Sequence, residues 1–356
     1  MTEFKREARF APGRDALPSM RISLLGASKS GKSCYILGMF AALVRGQGYH
    51  QYSLSTVHHE DGIAMLQELE DLGAGKPPLG TDEPRTHEFT LRGGLPGRGQ
   101  AAGVQTGVIA IDLTDFRGGA IREQPLDEND TKQNYDQLRQ SDSIFVVLDS
   151  GHFRQPVTPA RKNAVIQETW ANRIGDLIGW TIREREARGL PAPSIAVLLT
   201  KWDFLNDQRG TAARGLADVY QDVRALLPVA FGIGLEQYVF GVSIGEFSDP
   251  EGNPRQAHIG LSGVENPLFF AAGCFLTSQT QSLQGARGQL AAERTAIDAR
   301  LAKLTRWPAI IQQYLLQRPI AERRAELKDK DDVIAAHDLR AAQVAEHEKV
   351  LRGLAT

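Results

Sequence analysis

Cysteine is scarce in this chain of 356 residues, which has only Cys34 and Cys274. Cys34 follows a glycine-rich loop and Cys274 sits in an apolar run, so both read as free thiols, and nothing demands an oxidising compartment. An excess of one charge is also missing. Lys and Arg number 41 against 43 Asp and Glu, a formal net charge of −2. No global basic field therefore draws the chain to nucleic acid or to an anionic membrane. No apolar run approaches the roughly 20 residues of a membrane span. The opening MTEFKREARF carries charge but no apolar centre, which argues against a secretory signal. No internal repeat is visible. A cytoplasmic protein is expected. Its 42% hydrophobic and 24% charged residues suffice for one large domain or two modest ones.

The pattern along the chain is that of an α/β protein. Residues 1–18, with Pro12, Gly13 and Pro18, read as a flexible arm. Met20–Gly26 is a short apolar run ending in glycine, as a buried strand does, and Lys32–Val44 is apolar at helical spacing. Residues 73–87 are rich in Gly and Pro and read as loop. Strands are expected at Glu88–Arg92, Val108–Leu113, Ser143–Asp149, Ser194–Thr200 and Gln237–Ser243. Helices are expected within 158–188, 209–227 and 264–280. The alternation predicts a mainly parallel sheet with helices on both faces. From residue 281 the composition shifts to Ala, Arg, Glu, Leu and Gln, and Leu290, Ile297, Leu301 and Leu304 lie near heptad spacing. The expected organisation is a domain over 19–280 and a C-terminal helical extension over 281–356, for which a helical hairpin is one arrangement.

One motif stands out. Residues 26–33 read GASKSGKS, which satisfies G-x-x-x-x-G-K-[ST] between a strand and a helix. Gly26 and Gly31 let the backbone curl, so that the N–H groups of Ser28, Lys29 and Ser30, and of Cys34 at the helix start, can face phosphate. Lys32 reaches the β and γ phosphates, and the Ser33 hydroxyl serves Mg²⁺. The following helix adds its positive end. Downstream, Asp115-Phe-Arg-Gly118 fits D-x-x-G at a strand end. An acid there holds Mg²⁺ through water, and the Gly118 N–H can touch the γ phosphate. Asp112 is the competing acid, but only Asp115 places a glycine three residues on. Thr200-Lys201-Trp202-Asp203 follows the strand Ser194–Thr200. A carboxylate at Asp203 can accept from guanine N1–H and the exocyclic amine, a donor pair that adenine lacks. The Lys201 stem can lie over the base, and a backbone N–H at Ser243 or Ile244 can reach guanine O6.

GASKSGKS, DFRG, TKWD and a strand ending in VSI, in that order, resemble the P-loop regulatory GTPases of the translation-factor, Ras and Arf kind over about residues 18–280. The large insertions and the tail are similar to bacterial double-GTPase-type proteins of conflict or signalling operons, although only one phosphate-loop motif is present here. The resemblance implies a small-GTPase-like P-loop fold, GTP or GDP with Mg²⁺ as ligands, and Asp115 and Gly118 in a second switch. It also implies a threonine ligand to Mg²⁺ from a first switch, for which Thr81 and Thr86 both qualify. At one place the chain departs from the Ras pattern. The position of the glutamine that orients the attacking water is Gly119. Hydrolysis is then slow, with a partner or Arg117 supplying the missing group in the manner of an arginine finger, or the protein holds GTP without turning it over. A protein partner, or a second copy, is expected to be met through the helical extension.

Overall fold

The computed structural model describes residues 17–44, 52–76, 78, 84–93, 106–116, 135–206, 214–248, 254–305 and 317–355. These fall into two compact units, Met1–Ala272 with Leu354–Thr356, and Gly273–Gly353.

The first unit is α/β. Its strands are β1 (Ser19–Leu25), β2 (Tyr52–Thr56), β3 (Arg85–Gly93), β4 (Thr106–Asp115), β5 (Ser143–Asp149), β6 (Ser194–Thr200) and β7 (Gln237–Gly241), in the spatial order β2-β3-β4-β1-β5-β6-β7. The pairs β2–β3 and β3–β4 are antiparallel, and the other four are parallel. A separate antiparallel pair joins β8 (Ser243–Ser248) to β9 (Pro254–Ser262). Besides a single helical turn at Asp203–Asn206, the helices are α1 (Lys32–Val44), α2 (His59–Gly73), α3 (Pro159–Thr169), α4 (Ala171–Glu186), α5 (Leu216–Leu226), α6 (Asn266–Thr305) and α7 (Gln317–Ala355).

The continuous apolar runs of β5 and β6 are explained by burial on both faces. On one face Ile144, Val146 and Leu148 join Ile195, Val197 and Leu199 in a core closed by Val165 of α3, Ile174 and Ile178 of α4, and Val219 and Val223 of α5. On the other face Phe145 meets the edge of Tyr35 from α1, with ring centroids 6.1 Å apart. Further along α1, Phe40 stacks on Phe89 of β3 at 5.7 Å. Helices therefore cover both faces.

Several elements depart from the sequence reading. The helical stretch expected over 158–188 is two helices, broken at Trp170, whose φ of +57° lies in the left-handed region. β2, α2 and the β8–β9 hairpin had no counterpart in the pattern. The helix begun at Asn266 does not end near residue 280 but runs on to Thr305.

The second unit is a helical hairpin made from the greater part of α6 and of α7. Arg287 Nε meets Asp338 Oδ1 at 2.5 Å, Arg294 Nε meets Asp331 Oδ1 at 2.5 Å, and Thr277 Oγ1 donates to Glu348 Oε1 at 2.7 Å. Partner numbers fall as the first helix advances, so the two run antiparallel. Arg287 and Arg294 are one heptad apart, as are Asp338 and Asp331. These pairs are exposed, so they fix register more than they stabilise.

Candidate functional site

The sheet order turns around at β1. From there the chain builds β2 to β4 on one side and β5 to β7 on the other. In an open α/β sheet, the crevice outside the carboxyl ends at such a point is where ligands bind. The loop Gly26–Ser33 lies at that point, between β1 and α1.

Close approach shapes this loop. A Cβ on Gly26 would stand 2.5 Å from the Val147 carbonyl oxygen and 2.8 Å from Ser30 Oγ, so only glycine lets the loop pass so near β5. Gly31 has φ +93° and Lys29 φ +65°. Ser30 N donates to Ala27 O at 3.2 Å, and Tyr35 N to Gly31 O at 2.8 Å, which opens α1. Ser28 and Lys29 are exposed, whereas Ser30 is buried with its hydroxyl unpartnered.

Lys32 is only 7% exposed, and its ammonium donates to the carbonyls of Gly26 at 2.9 Å and Ala27 at 3.0 Å. Burial pushes its pKa down, and the Asp115 charge pulls it partly back. Asp115 ends β4, beside Leu24 in the parallel register. It is 1% exposed. Its Oδ2 accepts from Ser33 Oγ at 2.9 Å, while Oδ1 is buried without a partner. Burial pushes this carboxyl up, and Lys32 and the Ser33 hydroxyl act against that. A desolvated cation and a desolvated anion thus lie side by side, each displaced toward its neutral form. Cys34, half-buried at the start of α1, has its thiol pushed up by burial as well.

Strand alternation separates Asp115 from Asp112, because residues three apart in a strand face opposite sides. It also separates Asp115 from Thr86. The Thr86 hydroxyl lies 3.0 Å from Thr114 Oγ1, on the side away from Asp115 and Ser33. Arg85 and His87 instead share with Ser33 and Asp115 the wall of a cavity of about 330 Å³ between α1, α2 and the start of β3. His87 stacks on Phe89 at 6.1 Å, and burial, with the nearby Arg85 charge, pushes its imidazole down to about 4. Thr81, Arg117, Gly118 and Gly119 lie outside the described residues.

The Thr200–Asp203 loop at the end of β6 is tied to the first loop. Thr200, 5% exposed, turns its hydroxyl to the Ser30 carbonyl at 2.6 Å and the Leu148 carbonyl at 3.1 Å. Lys201 has φ +54°, which costs a non-glycine residue on the order of 1–2 kcal/mol. Its ammonium pairs with Asp149, and its carbonyl accepts from Ser150 Oγ at 2.6 Å. Trp202 N donates to Val242 O at 3.2 Å, and its ring covers Gly241, where a Cβ would fall 2.5 Å from the ring. Asp203 Oδ1 accepts from Ser243 Oγ at 2.6 Å. The next residue, Ile244, packs on Gly38 of α1.

The fold therefore gathers Gly26, Ser30, Gly31, Lys32, Ser33 and Asp115 into one bonded cluster, and Thr200, Lys201, Asp203 and Ser243 into a second. The Thr200 hydroxyl joins them. Asp149, Ser150 and His87 were not singled out by sequence. The available signal was an acid at the carboxyl end of each strand flanking β1, Asp115 on β4 and Asp149 on β5. Among the described residues, no group of three or more His, Cys, Asp or Glu side chains is placed to hold a metal, and no helix is long and apolar enough to cross a membrane. The chain matches no protein-family model and no curated protein.

Proposed function

We propose that the chain is a GTP-binding switch protein with a P-loop, small-GTPase-like nucleotide domain and a slow GTPase activity. One observation carries the reading. GASKSGKS, Asp115 and TKWD, far apart in sequence, converge on the carboxyl ends of β1, β4 and β6 where the strand order reverses.

The residues fit such a ligand. The buried Asp115 Oδ1 lacks a partner, as an oxygen reserved for hydrated Mg²⁺ would. Lys32 is a desolvated ammonium next to a loop too tight for a Cβ at Gly26, and an anion would relieve its burial. On this reading, Lys32 and the Gly26–Ser33 backbone hold the phosphates, with Cys34 N–H beside them. Ser33 and Asp115 hold the metal, with Thr81 from the first switch, since Thr86 is bonded to Thr114 on the far side of the sheet. Asp203 reads guanine, helped by Lys201 and by the backbone at Ser243 and Ile244. Bound Mg²⁺ would neutralise charge on the β and γ phosphates. The helical region would pass the bound state to a protein partner.

The glycine at position 119 supports a second reading, a scaffold that holds nucleotide without hydrolysing it. The test begins with the nucleotide released when purified protein is denatured, identified by mass and retention time. GTP analogues should then bind more tightly than ATP analogues, and Lys32→Ala should abolish both. Equal competition by ATP and GTP would refute the guanine assignment. Phosphate release above background, abolished by Ser33→Ala, separates the GTPase from the scaffold.

A further inference from the structure

The stretch from Asp149 to Arg154, at the end of β5, touches the TKWD loop twice and the residue after it once. Asp149 Oδ2 pairs with the Lys201 ammonium, and Asp149 Oδ1 is fixed by Gly151 N at 2.8 Å. Ser150, fully buried, donates its hydroxyl to the Lys201 carbonyl at 2.6 Å. The Arg154 guanidinium stands 5.0 Å from the centre of the Phe204 ring, directly after Asp203. Lys201 is thus held by its side chain and by its carbonyl, and it is the residue of this loop with positive φ.

We propose that Asp149 and Ser150 are positioning residues that set the base selectivity of this site, an inference that rests on the guanine reading above. A carboxylate discriminates guanine from adenine only where both of its hydrogen bonds can form, which confines Asp203 to a narrow range of positions. Asp203 is anchored on one side by Ser243. On the other side it is two residues from Lys201, whose left-handed backbone relaxes toward ordinary φ unless something holds it. Ser150 supplies that hold on the backbone. Asp149 supplies it on the side chain, drawing the lysine stem along the end of β5. Thr200 is held separately, its hydroxyl on the Ser30 and Leu148 carbonyls, so the brace acts on the base end and leaves the phosphate end in place.

The full-length chain tests this by competition of GDP, ADP and inorganic pyrophosphate against a fluorescent GDP analogue. Asp149→Asn and Ser150→Ala should each weaken GDP by about tenfold, the loss of a charge-assisted or buried hydrogen bond. ADP and pyrophosphate should bind as before, so the GDP:ADP ratio collapses, and Asp149→Glu should restore part of it. If the unaltered chain shows no preference for GDP, the guanine reading itself has failed. If it prefers GDP and both variants keep the same ratio, the brace is overturned and the guanine reading stands. A uniform loss for all three ligands, with a lowered melting temperature, would reduce Asp149 and Ser150 to structural roles and also overturn it.

Discussion

Gly38, in the middle of α1, offers a sharp test of how this fold is put together. A Cβ built there falls 2.4 Å from Ile244 Cγ2 and 3.4 Å from Leu261 Cδ2, so α1 lies against the β8–β9 hairpin with no room for a methyl group. Taken alone, Gly→Ala in a helix interior stabilises by about 1 kcal/mol. Overpacking costs about 1–3 kcal/mol, and an approach of 2.4 Å to a branched side chain puts this one in the upper part of that range, about 2–3 kcal/mol. The net expectation for Gly38→Ala is destabilisation by about 1–2 kcal/mol. Ile244→Ala removes the obstructing Cγ2, and in that background Gly38→Ala should stabilise by up to about 1 kcal/mol, because only the propensity gain remains. The sign reversal gives a coupling of about 2–3 kcal/mol, well outside the few tenths expected of independent sites. Urea unfolding of the four proteins, followed by far-ultraviolet circular dichroism, measures it. Effects that add to within about 0.5 kcal/mol would refute the packing argument. α1 begins at Lys32 and β8 at Ser243, so the single Gly38→Ala variant should also weaken nucleotide binding.

Two further outcomes follow from polar groups, one half-buried and one buried. Between pH 4 and its ordinary value of 6.5, the His87 imidazole is protonated in the unfolded chain but not in the folded one, so stability rises with pH across that window and is lost as pH falls. Lowering the pH from 6.5 to 5 should cost about 1.5 kcal/mol through this group. His87→Gln should lack that component, and denaturant unfolding at the two pH values would show an unchanged slope if the argument were wrong. Thr200→Val keeps the shape but leaves the Ser30 carbonyl without its donor, an expected loss of about 1–2 kcal/mol in unfolding free energy, with faster amide exchange in the Gly26–Ser33 loop. Exchange rates equal to those of the unaltered chain would count against the link.

β5 and β6 were legible in the sequence because a strand covered on both faces has no polar alternation to obscure it. α1 was legible from end to end, since the glycine loop fixes its start and its apolar spacing persists to Val44. β2 and α2 were not, because α2 buries only Gly62, Met65, Leu69 and Leu72 among many charges. The break at Trp170 carries neither glycine nor proline to announce it, and only the backbone dihedral reveals it. In the site, the motif spacing favours Asp115 over Asp112, and it is Asp115 whose carboxylate accepts from Ser33. The placement of Thr86 could not, since it depends on β3 pairing with β4 in a register that puts Thr86 opposite Thr114. Asp149 was hidden because its partner, Lys201, lies 52 positions away and is brought alongside only by the parallel pairing of β5 with β6.

Thr200 belongs to both loops at once, its hydroxyl held by the Ser30 carbonyl while its own carbonyl leads into Lys201. A ligand fragment that orders one loop therefore restrains the other. Two half-ligands, a polyphosphate and a nucleoside, should each bind better in the presence of the other even without a bond between them, because the first has already met the ordering cost of the second. The covalent bond in a whole nucleotide then adds effective concentration to that cooperativity. With valine at position 200 the two halves should bind independently, and the cooperativity should vanish while each half keeps its own contacts.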